Sequence, residues 1–93
     1  MANMDDHRLA QRLLAVVGSA GDYTQSTIAA GEDLIAIAEL TEAAATNGIA
    51  VPTDLLAALR AVADEGPTSS LDAGDIEALR EDLATITNVA TQP

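Results

Sequence analysis

Hydrophobic residues recur at helical spacing in this chain, most regularly in its first and last segments. Within residues 5–17 an apolar stripe repeats at three- and four-residue steps through Leu9, Leu13, Val16 and Val17. Residues 72–90 carry the same alternation, close to a heptad seam, through Ile76, Leu79, Leu83, Ile86 and Ala90. No stretch alternates apolar and polar residues as a half-buried strand does. The pattern predicts an all-α fold.

Two further helices are predicted between these segments. Residues 22–47 are apolar around much of the helix circumference, through Ile28, Leu34, Ile35, Ile37, Ala38 and Leu40. Such a distribution is typical of a central helix that contacts several neighbours. Gly31 lies inside this segment and is interpreted as a close-packing point or a slight bend. Residues 53–64 are predicted to direct four apolar side chains inward: Leu55, Leu56, Leu59 and Val62.

Polar residues and chain breaks delimit the four segments. The predicted N-caps are Asp5 or Asp6, Asp22 (with Gln25 completing a capping box), Thr53 and Asp72. Asn47-Gly48 favours a helix end, and residues 65–70 form the clearest loop. We therefore predict a single domain over residues 1–93, built as a small four-helix bundle with short loops.

Charge and composition narrow the function. Fifteen acidic residues against four arginines and no lysine give a net charge of −11, which disfavours direct nucleic-acid binding and anionic membranes. The chain has 93 residues, among them twenty alanines, one tyrosine and no phenylalanine or tryptophan, so the core is expected to be thin. A thin core favours oligomerisation or docking on a partner. The absence of cysteine excludes disulfides and thiolate chemistry.

Candidate chemistry is sparse. His7 is the only histidine, and Asp5, Asp6 and His7 are consecutive, so their side chains splay instead of converging on a metal ion. Glu39 with Glu42, and Glu77 with Glu81, lie one turn apart and are interpreted as solvated acidic faces. We expect no catalytic residue, no metal, no cofactor and no enzymatic activity.

A short stretch, Ser69-Ser70-Leu71-Asp72, resembles the Asp-Ser-Leu motif of acyl carrier proteins, which are small acidic four-helix domains. The resemblance implies that Ser70 would carry phosphopantetheine. Ser69 stands where that motif has aspartate, and one helix follows where carrier proteins have two more. Membership is therefore not assigned, and a carrier-type domain is kept only as a third alternative.

The leading hypothesis is a non-enzymatic structural or protein-interaction module, such as a small subunit of a viral particle or another assembly. Ile35, Ile37 and Leu40 are its candidate contacts, because they cannot all face one neighbour. The alternative is an acidic inhibitor or regulator that occupies a basic site on a partner, in the manner of a DNA mimic, through Glu77, Glu81 and Asp82. The expected partner is a protein or a second copy, in the cytoplasm or in a particle assembled there.

Overall fold

The computed structural model describes residues 5–91, with side chains as far as residue 87. The helical elements are α1 (Asp6–Val17), a 3-10 helix (Gly18–Thr24), α2 (Gln25–Ala29), α3 (Asp33–Asn47), α4 (Thr53–Glu65) and α5 (Ala73–Thr91). The four longer helices form a small all-α bundle with short connections, as predicted. No strand occurs within the described range.

The helices are arranged around the bundle in the order α1, α3, α5, α4. Each packs against its two neighbours in this ring, whereas the diagonal pairs, α1 with α5 and α3 with α4, have no Cα atoms within 8 Å of each other over the described residues. The connection from α3 to α4 therefore crosses the bundle diagonally. Gly48 begins this crossing in the left-handed conformation, with φ of 65°, which confirms the predicted helix end at Asn47-Gly48.

The predicted second helix, residues 22–47, is wrong as a continuous element. The chain instead forms the 3-10 helix, the short α2 and then α3, with a turn at residues 30–32. Gly31 adopts φ of 81° in this turn, and the N–H of Glu32 bonds to the carbonyl of Thr27 at 3.1 Å. Gly31 is therefore a break and not a close-packing point, since a Cβ added there would meet nothing within 4 Å.

The capping predictions have mixed outcomes. Asp5 caps α1 by accepting the N–H of Arg8 at 2.7 Å. Asp72 caps α5, because its carboxylate accepts the N–H of Asp75 at 2.8 Å and the carboxylate of Asp75 accepts the N–H of Asp72 at 3.1 Å. The other two predicted caps are wrong. Pro52 occupies the cap position before Thr53, and Asp22 lies inside the 3-10 helix, where its carboxylate accepts the side-chain amide of Gln25 at 3.4 Å.

The core lies between the four long helices, and α3 is central to it. This helix packs against α1, α5, α2 and the 3-10 helix, so buried residues surround much of it, as predicted. Its largest core side chains, Ile37 and Leu40, are 0% exposed, so neither is available to another chain. The predicted core residues of α1, α4 and α5 are buried, apart from the partly exposed Val16 and from Ala90, whose side chain lies outside the described residues.

Candidate functional site

Helix α5 presents three different faces because it lies between α3 and α4 in the ring. Its core face carries Ile76, Leu79, Leu83 and Ile86, all buried. On the α3 side a row at helical spacing carries Asp75, Ala78 and Asp82, and on the α4 side a second row carries Arg80, Ala84 and Thr87. Each row borders a groove on the bundle surface.

The groove between α3 and α5, called here the acidic groove, has a volume of about 300 Å³. Its apolar lining consists of Ile35, Ala38, Leu71, Ala78 and Leu79. Four carboxylates line it as well: Glu39 and Glu42 from α3, and Asp75 and Asp82 from α5. Ser70 completes the lining from the preceding loop. The groove therefore combines an apolar surface with concentrated negative charge.

The carboxylates of the acidic groove have no cationic partner within 4.0 Å among the described residues. The ion pairs of this part of the chain lie elsewhere, between Arg12 and Asp54 at 2.8 Å and between His7 and Asp33 at 3.0 Å. One carboxylate oxygen of Glu39, Oε1, is buried and has no hydrogen-bond partner among the residues that the structure describes. A buried acceptor left in this way raises the free energy of the unliganded groove.

Asp82 carries a related electrostatic cost. Partial burial raises the pKa of its carboxyl, and the neighbouring charges of Glu42 and Glu81 raise it further. The ionised form of Asp82 is therefore disfavoured by lost hydration and by like charges together. A cation in the groove would offset both effects.

Tyr23 lies beside the two glutamates that α3 contributes to the groove. Its hydroxyl donates a hydrogen bond to the backbone carbonyl of Glu39 at 3.1 Å, and its side chain is 56% exposed. Burial, followed by the charges of Glu39 and Glu42, raises the pKa of the Tyr23 hydroxyl. An exposed aromatic ring held at the edge of a groove is typical of protein-binding surfaces.

The residues that the sequence predicts to contact a partner lie in three different environments in the structure. Ile35 and Asp82 both line the acidic groove. Ile37 and Leu40 belong to the core instead, while Glu77 and Glu81 are exposed and do not line the groove. The interpretation of Glu77 and Glu81 as a solvated face agrees with this exposure. The same interpretation is wrong for Glu39, which is half-buried with one oxygen fully enclosed.

Sequence reasoning did not assign the remaining residues of this surface to a site. Tyr23 and Asp75 received no role, and Glu39 with Glu42 were assigned to a solvated face. The spacing of Asp75, Ala78 and Asp82 carried a signal, since these positions share one side of a helix. The groove residues of α3 carried no such signal, because the packing of α3 against α5 depends on the diagonal crossing of the chain between α3 and α4.

His7 does not line the acidic groove. The imidazole of His7 is exposed and pairs with Asp33 across the α1 and α3 ends. No group of three or more histidine and carboxylate side chains within residues 5–87 is placed to hold a metal ion. Among the described helices, none has the length and apolar character needed to cross a membrane.

Comparisons with protein-family models, with curated proteins and with solved structures found no match. The acidic groove and Tyr23 are therefore the basis on which the function is inferred.

Proposed function

We propose that this chain is a non-enzymatic protein-interaction module whose acidic groove binds a basic segment of a protein partner. The observation that carries the proposal is the set of four carboxylates, with no cation paired to them among the described residues, around an apolar lining. An exposed carboxylate is ordinarily hydrated by water and needs no cationic partner. A bound cation would stabilise the half-buried carboxylate of Glu39 and the disfavoured charge of Asp82.

A lysine or arginine side chain suits the groove better than a small ion. Its methylene stem can lie on Ile35 and Ala78, while its charged head reaches the carboxylates. An arginine also donates two parallel hydrogen bonds to one carboxylate, which strengthens and orients the contact. Tyr23 adds a ring face for a second cation at the edge of the groove.

The partner is proposed to be a different protein and not a second copy. At a net charge of −11, two copies repel each other, whereas a basic protein is attracted and its association is accelerated. The predicted alternative, an acidic regulator that occupies a basic site through Glu77, Glu81 and Asp82, shares only Asp82 with this groove and stays a separate prediction. The basic protein partner could be another subunit of a viral particle or of another assembly that presents a basic segment to the acidic groove.

Charge-matched variants test the proposal. The probe is a helical peptide with two arginines one turn apart among alanines and leucines, and its affinity is measured by calorimetry. The double variant Glu39→Gln/Glu42→Gln should bind the peptide about tenfold or more weakly, because charge-assisted hydrogen bonds are lost. The control pair, Glu65→Gln with Glu77→Gln, removes the same charge from exposed positions outside the groove and should weaken binding far less.

Thermal unfolding of both variants verifies that the fold is retained. An equal loss of affinity in the two variants would show that the peptide responds to net charge alone, and the proposal would be wrong.

A further inference from the structure

A second groove lies on the opposite side of α5, between α4 and α5, and is called here the arginine groove. It has a volume of about 460 Å³. Its lining is formed by Arg60, Ala63, Asp64, Arg80, Leu83, Ala84 and Thr87. Two of the four cationic residues of the whole chain are therefore in one groove of a molecule with a net charge of −11.

Both arginines are held in place by neutral acceptors. Arg60 donates a hydrogen bond from Nη2 to the hydroxyl of Thr87 at 3.1 Å, which joins α4 to α5. Arg80 donates from Nη2 to the carbonyl of Ala63 in the last turn of α4, also at 3.1 Å. A guanidinium has five N–H donors, so these bonds fix each side chain and leave further donors for a ligand.

Neither guanidinium is within 4.0 Å of a carboxylate among the described residues, although fifteen acidic residues are available in the chain. Arg12 shows the contrast, since it pairs with Asp54 across α1 and α4. Asp64 lines the arginine groove without forming an ion pair with either arginine. The positive charge of Arg60 and Arg80 is thus not neutralised at short range by this part of the chain.

We infer that the arginine groove binds a small organic oxyanion, a carboxylate or a phosphate carried on a short apolar body. Planar guanidinium groups match the geometry of both oxyanions and bind them through paired hydrogen bonds. Ala84 offers exposed apolar surface for the rest of the ligand, the buried Ala63 and Leu83 line the groove as well, and the volume is within the range of small-molecule sites. The site is independent of the acidic groove, because the two grooves lie on different faces of α5.

The negative charge of Asp64, which lines the same groove, opposes the binding of an anion. Its removal should strengthen binding, whereas removal of an arginine should weaken it. Improved affinity cannot arise from a damaged fold. The pair of opposite effects therefore keeps the test valid even if replacement of Arg60 destabilises the chain through loss of its bond to Thr87.

The experiment measures the binding of benzoate, phenyl phosphate and inorganic phosphate by amide chemical-shift titration. Arg60→Gln should weaken binding about tenfold, and Asp64→Asn should tighten it severalfold. The control is Arg8→Gln, which makes the same charge change at an exposed position on α1 and should leave affinity unchanged. Saturable binding of either aromatic probe, tighter than that of inorganic phosphate, supports the inference, and the better probe identifies carboxylate or phosphate as the ligand.

Two results would overturn it. One is the absence of saturable binding of both aromatic probes to the wild-type chain at millimolar concentration. The other is an identical response of Arg60→Gln and Arg8→Gln, which would show that the anion senses only net charge. Neither result bears on the acidic groove, whose probe is cationic and whose variants are in different residues.

Discussion

At the scale of single residues, Gly21 lies at a tight contact between the 3-10 helix and α3. This glycine is buried in the 3-10 helix, and a Cβ added to it would lie 2.5 Å from Cδ2 of Leu40 and 3.1 Å from Cγ1 of Val17. Leu40 is fully enclosed on α3, so moving its Cδ2 aside would require neighbouring core side chains to shift. Gly21 thus allows the connection after α1 to pack directly against the central helix.

Adding a methyl group to Gly21 tests this contact. Gly21→Ala should lower the free energy of unfolding by about 1–3 kcal/mol, because the added methyl group overpacks the core at Leu40. Urea denaturation followed by circular dichroism measures the change. Ser19→Ala, at an exposed position of the same 3-10 helix, is the control and should change stability by less than about 0.5 kcal/mol. A stability for Gly21→Ala equal to that of the control would contradict the packing described.

At the scale of elements, α1, α4 and α5 agree with their predicted ranges to within one residue at each end, because their signals are local. Asp72 and Asp75 cap α5 reciprocally, and its core residues repeat at helical spacing over the whole described length. Residues 22–47 were predicted as one helix because their apolar residues recur at helical spacing on both sides of Gly31. The positive φ of Gly31 and the non-helical ψ of 60° at Glu32 separate α2 from α3, and a glycine inside a helical pattern is compatible with either outcome.

Hydrogen exchange tests this division of the second segment. The amides of the 3-10 helix and α2 should exchange faster than those at the centre of α3, because a five-residue helix between a 3-10 helix and a turn opens at low cost. The comparison is made within one sample, with the central amides of α5 as an internal reference. Protection of residues 25–29 equal to that of α3 would indicate the single continuous helix that the sequence suggested.

At the scale of the whole molecule, the fold class followed from the sequence and the site did not. Helical spacing and polar caps are local properties, so the all-α bundle could be predicted without knowing any contact between helices. The acidic groove needs Glu39 and Asp82 to meet across α3 and α5. That meeting depends on the ring order, in which the connection after Gly48 crosses the bundle, and no local pattern encodes this order.

The pH dependence of peptide binding is a prediction at this same scale, since the field in the groove arises from two helices. Burial and the charges of Glu42 and Glu81 raise the pKa of Asp82, and a bound guanidinium lowers it again by favouring the carboxylate. Affinity for the arginine peptide should therefore be complete above the raised pKa and fall as the pH falls through it. Calorimetry on Asp82→Asn should show weaker binding at neutral pH and a smaller acid-side loss. Identical pH profiles for the variant and the wild type would show that Asp82 makes no contact with the peptide.

The most direct test of the central claim is the map of amide chemical-shift changes when the arginine peptide is added to the labelled wild-type chain. We predict the largest changes at the residues that line the acidic groove, and at Tyr23, whose hydroxyl bonds to the carbonyl of Glu39. The lining residues are Ile35, Ala38, Glu39, Glu42, Ser70, Leu71, Asp75, Ala78, Leu79 and Asp82. Changes centred instead on exposed acids away from it, such as Glu65 or Asp5, would contradict the account. They would show that the peptide binds to surface charge and not in the groove.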